Sequence, residues 1–191
     1  QSKGAESSQD NLLNARMAFR SAVEKQERYV QAGNYDMAIT VLKQVAREHQ
    51  GTPYEKQALE AMAETYNQWG RQLSKEGEYE SAAQKFQAAI NKAPDNSVWK
   101  QAATQEMPET LAQWAGECRK KGKYEKALTL YRRLENNFPG SMQSNLGSQK
   151  VPAVLYDKAW ALWKAKEKPG DALSLFQKIV STYGDTEWAS K

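Results

Sequence analysis

The sequence holds one cysteine, one histidine and six prolines in 191 residues, and each scarcity excludes something. A single cysteine, Cys118, cannot form an intramolecular disulfide, and it leaves a cysteine-type metal site without ligands. It does not fix the compartment, since proteins of oxidising compartments need not use disulfides. His49 is the one imidazole available for acid–base work, and it lies near an expected helix end, where a surface histidine suits the dipole. No Gly-rich phosphate loop, dinucleotide fingerprint, His-Glu-x-x-His or nucleophile elbow occurs, so the sequence offers no catalytic constellation, cofactor or metal site. No apolar run approaches the roughly 18 residues of a membrane span. The formal charge of +4 is mild, and the densest basic run is Arg119-Lys120-Lys121 with Lys123. That run fits a solvated helix C-terminus better than the broad Lys/Arg clustering of a nucleic-acid binder. β-branched residues are few and no alternating run is bounded by turn signals, which excludes a sheet protein. Alanine, Gln, Glu and Lys dominate instead, so the expected class is all-α.

What the chain does have is one phrase, repeated. Gly33-Asn34-Tyr35-Asp36-Met37-Ala38, Gly77-Glu78-Tyr79-Glu80-Ser81-Ala82 and Gly122-Lys123-Tyr124-Glu125-Lys126-Ala127 all read Gly-x-Tyr-x-x-Ala. The alanines are 44 and 45 residues apart, and a further 45 leads to Ala172 in the degenerate copy Lys168-Pro169-Gly170-Asp171-Ala172-Leu173. Each copy sits between stretches with helical periodicity, and its Gly tolerates the left-handed conformation that closes a helix. A fixed period of this size marks stacked helical hairpins. The first helix is predicted from about Asp10 to Ala32, carrying Leu13, Met17, Val23 and Val30. Its partner, about Tyr35 to Glu48, shows Ala38, Val41, Leu42 and Val45 as one stripe. The second hairpin is predicted over about Pro53 to Glu76 and Tyr79 to Lys92.

From Ala63 to Asn96 the pattern becomes specific. Tyr66, Trp69, Gly70 and Leu73 on the first helix, then Ala82, Phe86, Ala89 and Pro94, resemble the 34-residue unit of the tetratricopeptide repeat family. The unit from Pro108 to Ser141 repeats it with Leu111, Trp114, Ala115, Cys118, Ala127, Tyr131, Leu134 and Pro139. A fourth, from Pro152, aligns Leu155, Ala159, Leu162, Ala172, Phe176 and Ile179 once a residue is inserted in the turn. The first, from about Phe19, keeps Tyr29, Ala38 and Leu42 but has Lys25 and Gln26 where apolar and small residues belong. The small residues serve close helix crossings: Gly70 costs about 1 kcal/mol of helix propensity relative to Ala, so its presence needs such a reason.

The resemblance implies a right-handed α-solenoid of about four hairpins, with units near 10–52, 53–96, 97–141 and 142–185 behind a polar leader, 1–9. Three stretches exceed the family's unit. Residues 53–62 read as added turns, Ser97 to Gln105 as a short helix ended before Pro108, and Ser141 to Lys150 as a polar loop. A start at Gln1 rather than Met is expected where a signal, an anchor or a preceding segment has been removed. Tyr183 to Lys191 resembles the opening of a further helix, as in a longer protein or one whose last face a partner covers.

In this family the groove lined by the first helix of each hairpin receives a peptide or partner protein. Carried onto this chain, that register implies Asn67, Arg71 and Lys75, then Arg119 and Lys120, then Tyr156, Trp160, Trp163 and Lys164. Their balance is cationic with aromatics at one end, which suits an acidic or C-terminal-carboxylate peptide. The Lys/Asn clamp of the chaperone-binding subclass is interrupted at Glu109 and Ala112. The expected function is a non-catalytic protein–protein interaction scaffold; the alternative is a structural protein that self-assembles through its terminal repeat. The helix ends Phe138-Pro139-Gly140-Ser141 and Tyr183-Gly184-Asp185-Thr186 resemble bacterial envelope lipoproteins of this family. That likeness implies a periplasmic or outer-membrane-associated location, with a cytosolic adaptor as the other reading.

Overall fold

Three turns repeat the same hydrogen bonds. At the first, Gly33 (φ 75°) donates its N–H to Val30 O at 2.9 Å while Asn34 N–H reaches Tyr29 O at 2.7 Å. At the second, Gly77 (φ 81°) donates to Ser74 O and Glu78 to Leu73 O; at the third, Gly122 (φ 72°) donates to Arg119 O and Lys123 to Cys118 O. This pairing satisfies the last carbonyls of a helix and turns the chain, and it requires the left-handed residue that Gly supplies. The spacing read from the sequence is thus a spacing of identical helix stops.

The computed structural model describes residues 2–166 and 168–191. Among them are eight helices and no strand: α1 (Ser2–Gln31), α2 (Tyr35–Glu48), α3 (Pro53–Lys75), α4 (Tyr79–Lys92), α5 (Val98–Lys120), α6 (Tyr124–Asn137), α7 (Met142–Ala165) and α8 (Pro169–Thr182). The all-α repeat class expected from the sequence is the class observed. Three boundaries differ. Helix α1 starts at Ser2 rather than near Asp10, so all of the expected leader but Gln1, which lies outside the described residues, is helical. Helix α5 runs unbroken through Pro108. Its buried residues Ala103, Met107, Leu111, Ala115 and Cys118 keep one stripe on both sides of the proline, and Pro108 itself is buried. Burial of that face outweighs the single backbone bond that a proline removes. The expected polar loop after Ser141 is also helical. Ser141 caps α7 by accepting from Ser144 N at 3.0 Å, and Gly147 is a place of close approach, where an added Cβ would lie 3.4 Å from the Tyr131 ring.

The chain forms two compact units, 1–107 and 108–191. In the first, α1, α2, α3 and α4 pack consecutively and α1 also meets α3. Ala38, Ala82 and Ala83 are buried, and Gly70 faces Phe86 so closely that a Cβ would stand 2.9–3.0 Å from three ring atoms. Helix α1 buries Ala15, Ala22 and Gln26, while Leu13 and Met17, two of the apolar residues that the predicted helix carries, are exposed. In the second unit α6, α7 and α8 pack consecutively, with Ala127, Leu134, Val154, Ala159, Ala172 and Ile179 at the centre. Cys118 is buried as an apolar core residue, in the slot that leucines fill in the neighbouring repeats.

Candidate functional site

The first unit holds a cleft of about 620 Å³ between the first helices of successive hairpins. Helix α1 contributes Phe19, Val23, Gln26, Glu27, Val30 and Gln31; α3 contributes Lys56, Gln57, Glu60, Ala61, Glu64 and Gln68; α5 contributes Trp99.

Local chemistry holds each wall. Gln26 occupies the crossing where other units carry Gly or Ala, and its Nε2 donates to Thr65 Oγ1 at 3.2 Å, which satisfies a buried polar pair. The start of α5 is tied down twice. Fully buried Ser97 accepts from Trp99 N at 3.1 Å and Lys100 N at 3.2 Å, and its hydroxyl donates to Glu60. Asn67 Nδ2 donates to Trp99 O at 2.8 Å and to Ala63 O at 3.0 Å. The Trp99 ring is therefore a positioned wall rather than a loop side chain.

The charge in this cleft is acidic: Glu27, Glu60 and Glu64 against Lys56. Partial burial, and then repulsion from Glu27, push the Glu64 carboxyl above its ordinary value. Gln68 Nε2 donates to that carboxylate at 3.2 Å. A cation beside Glu27 and Glu64 would offset their repulsion, and apolar side chains would find Phe19, Val23, Val30 and Trp99 in the same cleft.

The residues carried over from the family register are distributed differently. Asn67 is fully buried and spends its amide on the two backbone carbonyls, so it presents nothing to a ligand. Arg71 is a bidentate partner of Glu106, at 2.8–2.9 Å from its Nε. Lys75 is exposed in the last turn of α3. The lining residues run Glu60, Glu64, Gln68 while the expected run was Asn67, Arg71, Lys75, a displacement of one residue, or about 100° around a helix. The cleft also uses Lys56, Gln57, Glu60 and Ala61, which lie in the stretch 53–62 that the 34-residue pattern sets aside. Carboxylates at a spacing of four, Glu60 on those added turns and Glu64 just beyond them, were the available signal.

In the second unit Arg119 is bound to Asp157 at 2.6 Å, and Lys120 pairs with Glu117 at 2.8 Å. Tyr156 packs edge-on against Phe176, with ring centroids 5.7 Å apart, and against Trp188 at 5.3 Å. Trp188, in the stretch read as the opening of a further helix, is half-buried over Tyr156 and Arg119. Trp160 and Trp163 are 44% and 52% exposed, with the Lys164 ammonium 5.5 Å from the Trp160 ring.

Among the described residues no group of three or more His, Cys, Asp or Glu is placed to hold a metal ion, and no helix is long and apolar enough to cross a membrane. A comparison with curated proteins found no match. Residues 113–141, the end of α5 with α6, match the family model described as Tetratricopeptide repeat, a repeat that mediates protein–protein interaction. Residues 113–141 thus carry a tetratricopeptide repeat, and helix stops and small-residue crossings of the same kind recur on either side of it.

Proposed function

We propose that this chain is a non-catalytic scaffold whose first unit binds a partner segment carrying Lys or Arg next to an apolar side chain. One observation carries the reading: a cleft between first helices with three carboxylates, one lysine and an apolar wall. Charge-assisted hydrogen bonds to Glu27, Glu60 and Glu64 would orient the segment, and burial against Phe19, Val23 and Trp99 would supply most of the affinity. The reading differs from an acidic peptide because Arg71 and Arg119 are engaged by Glu106 and Asp157.

Selection from a displayed random peptide library on the immobilised chain tests it, with counter-selection on a Glu27→Lys, Glu64→Lys variant. Enrichment of Lys/Arg beside Phe, Leu or Trp, lost on the variant, is the expected result. Enrichment of acidic or C-terminal-carboxylate peptides, indifferent to the variant, would overturn it and return recognition to Lys75, Lys120, Trp160, Trp163 and Lys164.

The self-assembly alternative has its own observation: Trp163, Leu173 and Val180 on the last hairpin all expose more than half of their surface. Stacking of one copy on another through that face would cover them.

A further inference from the structure

Repeats allow one part of the molecule to report what another part is shaped for. In the first unit the turn tyrosine Tyr35 stacks on Trp69, with ring centroids 5.5 Å apart and planes 8° from parallel. The Lys85 ammonium also lies over that indole, 3.4 Å from its centroid. Trp69 immediately precedes Gly70, the small residue of the helix crossing, and lies thirty-four residues after Tyr35.

The same register in the second unit begins at Tyr124, the tyrosine of the third turn. Thirty-four residues on, immediately before the buried crossing residue Ala159, stands Lys158 in place of a tryptophan. Lys158 does not fill the indole's space, because its ammonium turns to the Glu125 carboxylate. What remains is a cleft of about 520 Å³ bounded by Gly122, Tyr124, Ala161 and Leu162, with Lys123, Lys126, Lys158 and Glu125 at its rim. The wall is mostly apolar, and three lysines stand around it against one carboxylate, with Lys158 held by Glu125 and Lys126 lying over the Trp114 ring, 4.5 Å from its centroid.

We propose that this cleft receives an aromatic side chain of a partner protein, stacked on Tyr124 as Trp69 is stacked on Tyr35, with a carboxylate of the same segment set against the lysine rim. The internal repeat supplies the shape of the occupant and the rim supplies its charge. A surface with a preformed apolar slot and a complementary charged edge has the anatomy of an anchor site for a short segment. This site is separate in composition and in charge from the acidic cleft of the first unit, so the two select different chemistry.

The test titrates the full chain with acetyl-Asp-Trp-Asp-amide and follows backbone amide resonances, with acetyl-Asp-Ala-Asp-amide as the control. Expected are shifts concentrated at 122–126 and 158–162, with the alanine peptide binding at least tenfold more weakly. Ala161→Glu, at an exposed position that folding should tolerate, should lower the tryptophan peptide's affinity by tenfold or more. Lys158→Trp should abolish it by supplying the missing indole from within the chain, and should raise the melting temperature. The Glu27→Lys, Glu64→Lys variant should bind the peptide unchanged, which separates failure here from failure of the first-unit reading. No binding, shifts centred elsewhere, equal binding of the alanine peptide, or indifference to both Ala161→Glu and Lys158→Trp would overturn the proposal.

Discussion

At Gly70 one added methyl group decides between two opposing effects. Alanine there gains about 1 kcal/mol of helix propensity. Its Cβ, however, would lie 2.9–3.0 Å from three atoms of the Phe86 ring, which is itself buried in the core. Overpacking of this kind costs about 1–3 kcal/mol, so Gly70→Ala should lower the urea midpoint despite the better helix former. Combining it with Phe86→Leu should cost less than the sum of the two changes, since the ring is the obstacle. Ala82→Leu, at a fully buried crossing, should lose about 1–3 kcal/mol by the same mechanism. Glu64 gives a pH dependence with a definite sign. Its folded-state pKa is raised by burial and by Glu27, so the folded chain holds that proton more tightly than the unfolded chain. The folded state is therefore penalised as pH rises from the ordinary carboxylate value through the raised one, and the penalty persists at neutral pH. Glu64→Gln should raise the melting temperature at pH 7 and leave it unchanged at pH 3, as calorimetry would show. The same substitution should weaken binding of a cationic peptide.

Among the elements, the turns were the most legible. A Gly in the left-handed region with two fixed hydrogen bonds is dictated locally, so Gly33, Gly77 and Gly122 could be read without tertiary information. The fourth turn uses Lys166 at φ 55° instead of Gly. A side chain in that conformation costs about 1 kcal/mol, and Lys166→Gly should recover most of it in chemical denaturation. Less legible were the stretches whose fate depends on what packs against them. Pro108 and the polar run after Ser141 look like breaks, yet both are helical because Met107, Leu111 and Gly147 have buried faces to satisfy. The cleft was missed for a related reason: a family register fixes which residues cross, but not how far added turns at Pro53 carry the groove along α3. Asn67 shows the difference at one position. From spacing alone it is a polar residue on a groove helix; in the structure it is the tether of α5. Asn67→Ala should cost about 1–3 kcal/mol by leaving the Trp99 and Ala63 carbonyls without that donor. It should also loosen the Trp99 wall, seen as a red shift of indole emission.

The molecule has two compact units whose clefts differ in charge, acidic and apolar in 1–107 and lysine-bordered in 108–191. A cationic peptide and an aromatic–acidic peptide should therefore bind without competing. Light scattering over a concentration series should return the 21.6 kDa of one chain throughout. Growth with concentration that Trp163→Ser and Leu173→Ser abolish would instead support stacking through the last hairpin. The most direct measurement of the scaffold reading is a titration of the chain with the peptide acetyl-Phe-Lys-Leu-Arg-amide, mapped by backbone amide shifts. The account expects perturbation confined to 19–31, 56–68 and the Trp99 indole, falling away as salt rises and lost in the Glu27→Lys, Glu64→Lys variant. Binding that leaves those resonances still, or that survives the double charge reversal, would contradict it.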